Sequence, residues 1–282
     1  MDQANKNLKC QEAKMSEINL ESVNFTVQRE DGERLILRGT QYLPNDFSPE
    51  KTYPVVVLLH GFGGNRIDYS GFMVQLARMY ASVGVMAITY DRAGHGESDG
   101  SFFDTTVTGD VADALQVIAQ VRQLPGCDPD NLHLAGLSLG AVIATFCAPQ
   151  VQAQPKSITL FSIAASYADE IRGGTLQGQP LHVMDEQGYF DFMGVAMGGA
   201  MVDDAVSTDP YKRAQGFEGK VKIIHGSHDF IPISYAEKYR EVYGDSMNFL
   251  KITDGNHGFG NVKHREMAFQ AAREFIAEQI KS

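Results

Sequence analysis

The sequence predicts an α/β architecture: a mostly parallel central sheet with helices on both faces. Two patterns carry that expectation. Tyr53–His60 and Val85–Tyr90 are short, β-branched, continuously apolar runs, as strands buried on both faces require. Between such runs, Val111, Ala114, Leu115, Ile118 and Val121 recur at helical spacing and form one apolar stripe to lay on a sheet. Parallel strands need crossover connections, so repeated strand–helix alternation implies parallel pairing.

The elements follow along the chain. Residues 1–20 are polar and charged and read as a leader, leaving 21–282 as a single domain. Val23–Val27 and Leu35–Tyr42 alternate apolar and polar side chains and are closed by the Pro44-Asn45-Asp46 turn. This pair breaks the strand–helix rhythm and is expected to add antiparallel strands at one edge. Then come strand Asn131–Gly136, a helix opening over Ala141–Cys147, and strands Ser157–Ala164, Val221–His225 and Met247–Ile252. A closing helix carries a stripe of Phe269, Ala272, Ile276 and Ile280. Between the sixth and seventh strands, residues 166–216 interrupt the alternation. They are rich in Gly, in Met (Met184, Met193, Met197, Met201) and in aromatics (Tyr189, Phe190, Phe192). An insertion of that length is usually functional, and its soft, apolar content suits a small cap over a pocket.

Composition narrows the function. Lys and Arg number 24 against 35 Asp and Glu, a net charge of −11. No basic cluster is present to hold phosphates, so nucleic acid is not an expected partner. Cys10, Cys127 and Cys147 lie too far apart for a disulfide framework or a zinc set, which points to a reducing compartment. No apolar run approaches the roughly 18 residues of a membrane helix, and no signal peptide is evident at the N-terminus. A cytoplasmic protein without a membrane span is the expectation.

The chemistry is concentrated after strands. Gly136-Leu137-Ser138-Leu139-Gly140 is a G-x-S-x-G pattern between an incoming strand and an outgoing helix. A serine at so sharp a turn stands in strained backbone, and its neighbours two residues away must be small. The turn lifts Oγ above the sheet edge and aims the Leu139 N–H toward any anion formed beside it. A serine hydroxyl needs a base to take its proton. Asp229 follows strand Val221–His225 and His257 follows strand Met247–Ile252, so the chain order is Ser, Asp, His. Asp229 would hold one ring nitrogen of His257 while the other takes the Ser138 proton. The Gly-rich His60-Gly61-Phe62-Gly63-Gly64 turn after a buried strand places the Phe62 N–H as a second oxyanion donor.

Rival readings are weaker. A phosphate loop would need GxxxxGK[ST], which is absent, and the Asp91–Gly100 loop reads G-x-G-x-x-x-G rather than the dinucleotide pattern. His225, His228 and Asp229 lack ligand spacing for a metal site, so no metal and no cofactor is expected. A haloalkane dehalogenase would carry a carboxylate where Ser138 stands.

Together these residues resemble the α/β-hydrolase superfamily. The matching segments are His60-Gly61-Phe62-Gly63, Asp91-Arg92-Ala93-Gly94-His95-Gly96-Glu97-Ser98, the Ser138 pentapeptide, His225-Gly226-Ser227-His228-Asp229 and Asn256-His257. Within the superfamily, Tyr90–Thr108 looks most like bacterial cinnamoyl (feruloyl) esterases. That resemblance implies an α/β-hydrolase fold and a serine esterase that cleaves hydroxycinnamate or similar small aryl and acyl esters through an acyl-enzyme. It also implies that Asp169, Gln177 and Tyr189 in the cap contact ring hydroxyls. Those esterases usually carry Gln and two glycines after the nucleophile, where Leu139, Gly140 and Ala141 stand here. Alternatives are a monoacylglycerol-lipase-like or peptidase-like hydrolase, or a noncatalytic binding protein on the same scaffold, which would be expected to lose a triad member. The expected partner is a small-molecule ester, with homodimerisation left open.

Overall fold

The computed structural model describes residues 19–281; residues 1–18 of the expected leader lie outside the described residues. The first six strands are β1 (Asn19–Gln28), β2 (Arg34–Leu43), β3 (Tyr53–Leu59), β4 (Met86–Tyr90), β5 (Cys127–Leu137) and β6 (Ser157–Phe161). Two short hairpins follow, β7 (Thr175–Leu176) with β8 (Gln179–Pro180) and β9 (Phe190–Phe192) with β10 (Val195–Met197). The sheet resumes with β11 (Lys220–Gly226) and β12 (Met247–Ile252). Its eight strands stand in the order β1-β2-β4-β3-β5-β6-β11-β12. The β1/β2 and β2/β4 pairs are antiparallel and every other pair is parallel. Asn19 and Leu20, assigned to the leader from composition, open β1. The first four residues of that edge strand are exposed, so they carry no apolar alternation to read.

The helices are α1 (Phe72–Ser82), α2 (Val107–Val121), α3 (Leu139–Cys147), α4 (Tyr167–Arg172), α5 (Val183–Gln187), α6 (Gly199–Val206), α7 (Pro210–Arg213), α8 (Ile233–Glu237), α9 (Arg240–Tyr243) and α10 (Val262–Gln279). Side chains of β3 alternate between two apolar layers. Val55, Val57 and Leu59 join the layer of α2 and α3, while Val56 and Leu58 join that of α1 and α10. All five are at most 1% exposed, and each such burial contributes about 1.5–3 kcal/mol. Polar side chains cap the long helices: Thr106 accepts from the Gly109 N–H at 2.9 Å, and Asn261 from the His264 N–H at 2.9 Å.

Helix α1 lacks a sequence expectation of its own, although Phe72, Met73, Leu76, Ala77 and Tyr80 pack it onto the sheet. The connection between β11 and β12 carries two short helices, α8 and α9. The 166–216 insertion consists of α4, both hairpins, α5, α6 and α7.

Candidate active site

Strand β5 ends at Leu137 and α3 starts at Leu139, so Ser138 alone makes the turn, with φ 57° and ψ −122°. A left-handed backbone at a non-glycine residue costs about 1–3 kcal/mol and must be held by its surroundings. Here the Ser138 N–H donates to the Phe161 carbonyl at 2.9 Å, and its own carbonyl accepts from Ala141 (3.1 Å) and Ala164 (3.2 Å). The flanking glycines are steric requirements. A Cβ at Gly140 would overlap the Leu59 and His60 carbonyl oxygens, and one at Gly136 would overlap the Gly140 carbonyl. Ser138 Oγ has no hydrogen-bond partner among the described residues and faces a cleft.

Asp229 and His257 stand on the loops after β11 and β12. His257 Nδ1 lies 2.9 and 3.0 Å from the two Asp229 carboxylate oxygens, one of which also accepts from the Ile231 N–H at 2.9 Å. The Asp229 side chain is fully buried. Burial pushes its carboxyl up, but the His257 hydrogen bond and charge, with the Ile231 amide, outweigh that and hold it below its ordinary value. The two loops touch: a Cβ at Gly226 would overlap the Gly255 carbonyl. Phe230, next to Asp229, lays its ring 4.3 Å from the His257 ring and lines the same cleft as Ser138.

Backbone N–H groups of Phe62 and Leu139 donate to no protein group among the described residues. A Cβ built at Gly61 would lie 3.4 Å from Ser138 Cβ, so the His60–Gly64 turn abuts the serine. Behind that turn, His60 is buried and its pKa is driven well below 6.5 by desolvation and by the adjacent Arg92 cation. His95, with its ring 5.0 Å from that of His60, is pushed down to about 3 for the same reasons. Both rings are therefore neutral at pH 7. Arg92 is 1% exposed and ion-paired with Asp110.

The insertion closes one side of the cleft with Ser166, Tyr167, Glu170, Leu176, Gln177 and Met201; Phe62 and Ile231 line it as well. Of the three cap residues named from sequence, Gln177 is in the lining. Asp169 instead pairs with Arg172 and accepts from the Tyr235 hydroxyl at 2.9 Å, and Tyr189 is 37% exposed; neither lines the cleft. The carboxylate that does so is Glu170, one residue on, which accepts from the Ser166 hydroxyl and the Gln177 N–H, both at 2.8 Å. Helix α4 turns about 100° per residue, so a one-residue offset moves a side chain off the cleft. Phe230 was also unread, and its position directly after Asp229 was the available signal.

Among the described residues no group of three or more His, Cys, Asp and Glu could hold a metal ion. His225 donates from Nε2 to the Ile231 carbonyl at 3.1 Å, while His228 lies 3.4 Å from Asp254. No described helix is long and apolar enough to cross a membrane.

Comparison with known proteins bears on this arrangement. Curated relatives include the Lysophosphatidylserine lipase ABHD12 of Danio rerio, 34% identical over 96 residues, which cover 34% of this chain and 23% of that protein. That of Gallus gallus is 28% identical over 138 residues, covering 48% of this chain and 34% of that protein. The chain thus spans about a third or less of these relatives. Among solved structures, Est1E from Butyrivibrio proteoclasticus with ferulic acid bound superposes with a TM-score of 0.79 at 23% identity, covering 88% of this chain and 97% of that one. Alpha/beta hydrolase domain-containing protein 10 from mouse gives 0.67 at 15% identity, covering 91% and 99%. These likenesses carry the fold. The pattern of the Alpha/beta hydrolase family matches residues 56–240, well over half of the chain, and the protein belongs to that family.

Proposed function

We propose that the protein is a serine carboxylic ester hydrolase acting through an acyl-enzyme. One observation carries the reading. Ser138, in strained backbone, faces a cleft shared with Phe230, whose ring lies on His257, and His257 is hydrogen-bonded to buried Asp229. In this reading His257 takes the Ser138 proton as Oγ attacks the ester carbonyl. Asp229 fixes the proton on Nδ1 and stabilises the imidazolium, and Phe62 and Leu139 N–H groups hold the oxyanion. The leaving alcohol takes the proton back, and water repeats the sequence to release the acid. Among the described residues Oγ has no hydrogen-bond partner, in keeping with sites whose catalytic hydrogen bonds tighten only on substrate.

The acyl group is proposed to be small and aryl, of the hydroxycinnamate kind. Phe62, Leu176, Met201 and Phe230 offer apolar contact, and Glu170 with Gln177 offers polar anchors for a ring hydroxyl. The likeness to Est1E, whose solved structure holds ferulic acid, supports that reading. A lipase-like specificity is the second reading, favoured by the partial likeness to the lysophosphatidylserine lipases. The test is a substrate panel with Ser138→Ala as control. Wild type should hydrolyse p-nitrophenyl acetate and methyl ferulate, the variant neither, with its circular dichroism unchanged. Activity retained by Ser138→Ala refutes the mechanism. A preference for a monoacylglycerol over methyl ferulate moves the substrate class to the second reading.

A further inference from the structure

We infer that Arg92 and His60 are positioning residues for the oxyanion donor, acting through one shared acceptor, the Gly61 carbonyl; this rests on the hydrolase reading above. The Gly61 C=O and the Phe62 N–H belong to one planar trans peptide group, in which they point in opposite directions. Whatever fixes the carbonyl therefore aims the amide hydrogen.

That carbonyl is held from three sides. It accepts from His60 Nδ1 at 2.8 Å, from the Arg92 guanidinium at 2.8 Å and from the Gly64 N–H at 3.2 Å. The tautomer follows from the geometry. The Arg92 backbone N–H donates to His60 Nε2 at 3.0 Å, so Nε2 is an acceptor and the ring proton sits on Nδ1. Both side chains are 1% exposed, and Asp110 holds another guanidinium nitrogen, so neither donor can swing away. The opposite side of this peptide, the Phe62 N–H, lacks a protein acceptor among the described residues, beside Ser138. A cationic donor on the carbonyl also polarises the peptide and makes its N–H a stronger donor to an anion. Arg92 thus lends part of its buried charge to the oxyanion site without touching the substrate.

The experiment compares Arg92→Gln, Arg92→Lys and wild type as full chains. With p-nitrophenyl acetate, Arg92→Gln should lower kcat about 30- to 300-fold, short of or matching the roughly 10²–10³ lost with a whole donor, while KM stays within about threefold. Affinity for an aryl trifluoromethyl ketone, whose serine adduct carries an oxyanion, should fall by the same factor, and affinity for the corresponding carboxylic acid should hold. Arg92→Lys keeps a charge and should recover part of the loss. The Phe62 amide proton resonance should move upfield in Arg92→Gln. A folded Arg92→Gln with unchanged kcat and an unmoved Phe62 resonance overturns the inference. So does an equal loss of ketone and acid binding, which would mark a structural tie alone. If Arg92→Gln does not fold, His60→Phe, which removes one donor, takes the same measurements. If wild type hydrolyses no ester, the hydrolase reading fails, and the Phe62 resonance still decides whether Arg92 sets that peptide.

Discussion

In the proposed mechanism Asp229 and His257 divide one proton-handling task, and the division determines what each substitution does. Asp229→Asn would present an N–H to Nδ1 and favour the tautomer that cannot accept from Ser138. We expect kcat for p-nitrophenyl acetate to fall about 10³–10⁴-fold with KM within a few-fold; stopped assays against Ser138→Ala background settle it. Glu170→Gln tests the acyl pocket. A carboxylate hydrogen bond is worth about 1.5–3 kcal/mol, so the kcat/KM ratio of methyl ferulate to methyl cinnamate should drop at least tenfold. An unchanged ratio removes Glu170 from hydroxyl recognition. Ser138, Asp229 and His257 were legible because each follows a recognisable strand, and strand ends leave little freedom in where a residue points. Asp169 and Tyr189 stand outside the cleft lining, and the insertion's short helices and two- and three-residue strands have a phase that no periodicity fixes.

Among the elements, the glycines flanking Ser138 and those of the His60–Gly64 turn respond differently to the same change. Gly140→Ala would drive a methyl group into the Leu59 and His60 backbone, which cannot retreat without separating α3 from β3. We expect a loss of several kcal/mol, of the order of about 3 or more, read as insoluble expression or a collapsed urea midpoint. Gly63→Ala meets instead the ring of Phe192 on the β9/β10 hairpin, a side chain that can move, although φ of 64° adds strain. That variant should fold and change KM more than stability. Phe192 also packs on Phe62 with ring centroids 4.7 Å apart, so the hairpin and the His60–Gly64 turn share one contact. The main sheet was readable from its apolar strands. Helix α1 was not, since its buried face includes Met79, Ala81 and Tyr80 close together and blurs the helical stripe.

For the molecule as a whole, acid sensitivity follows from buried histidines. Desolvation lowers His60, His95, His133 and His225, with His95 and His133 at about 3. A histidine lowered in the native state binds its proton only on unfolding. The unfolded chain therefore holds more protons below pH 6.5, and stability falls as pH drops from there toward 3. Asp110, raised to about 6 by burial, offsets one of these protons. Asp229, held low, adds stability above pH 3.8 that is lost below it. We expect a net uptake of about two to three protons on unfolding near pH 5, measurable from urea midpoints at pH 7, 6 and 5; midpoints that rise on acidification contradict the neutral assignments. The strand order has an outcome of its own. β12, whose following loop carries His257, is the outermost strand of the sheet on that side, whereas Ser138 follows β5 deep inside it. Heat that frays this rim would unseat His257 while Ser138 keeps its post, so the proposed esterase activity should be lost several degrees ahead of bulk melting.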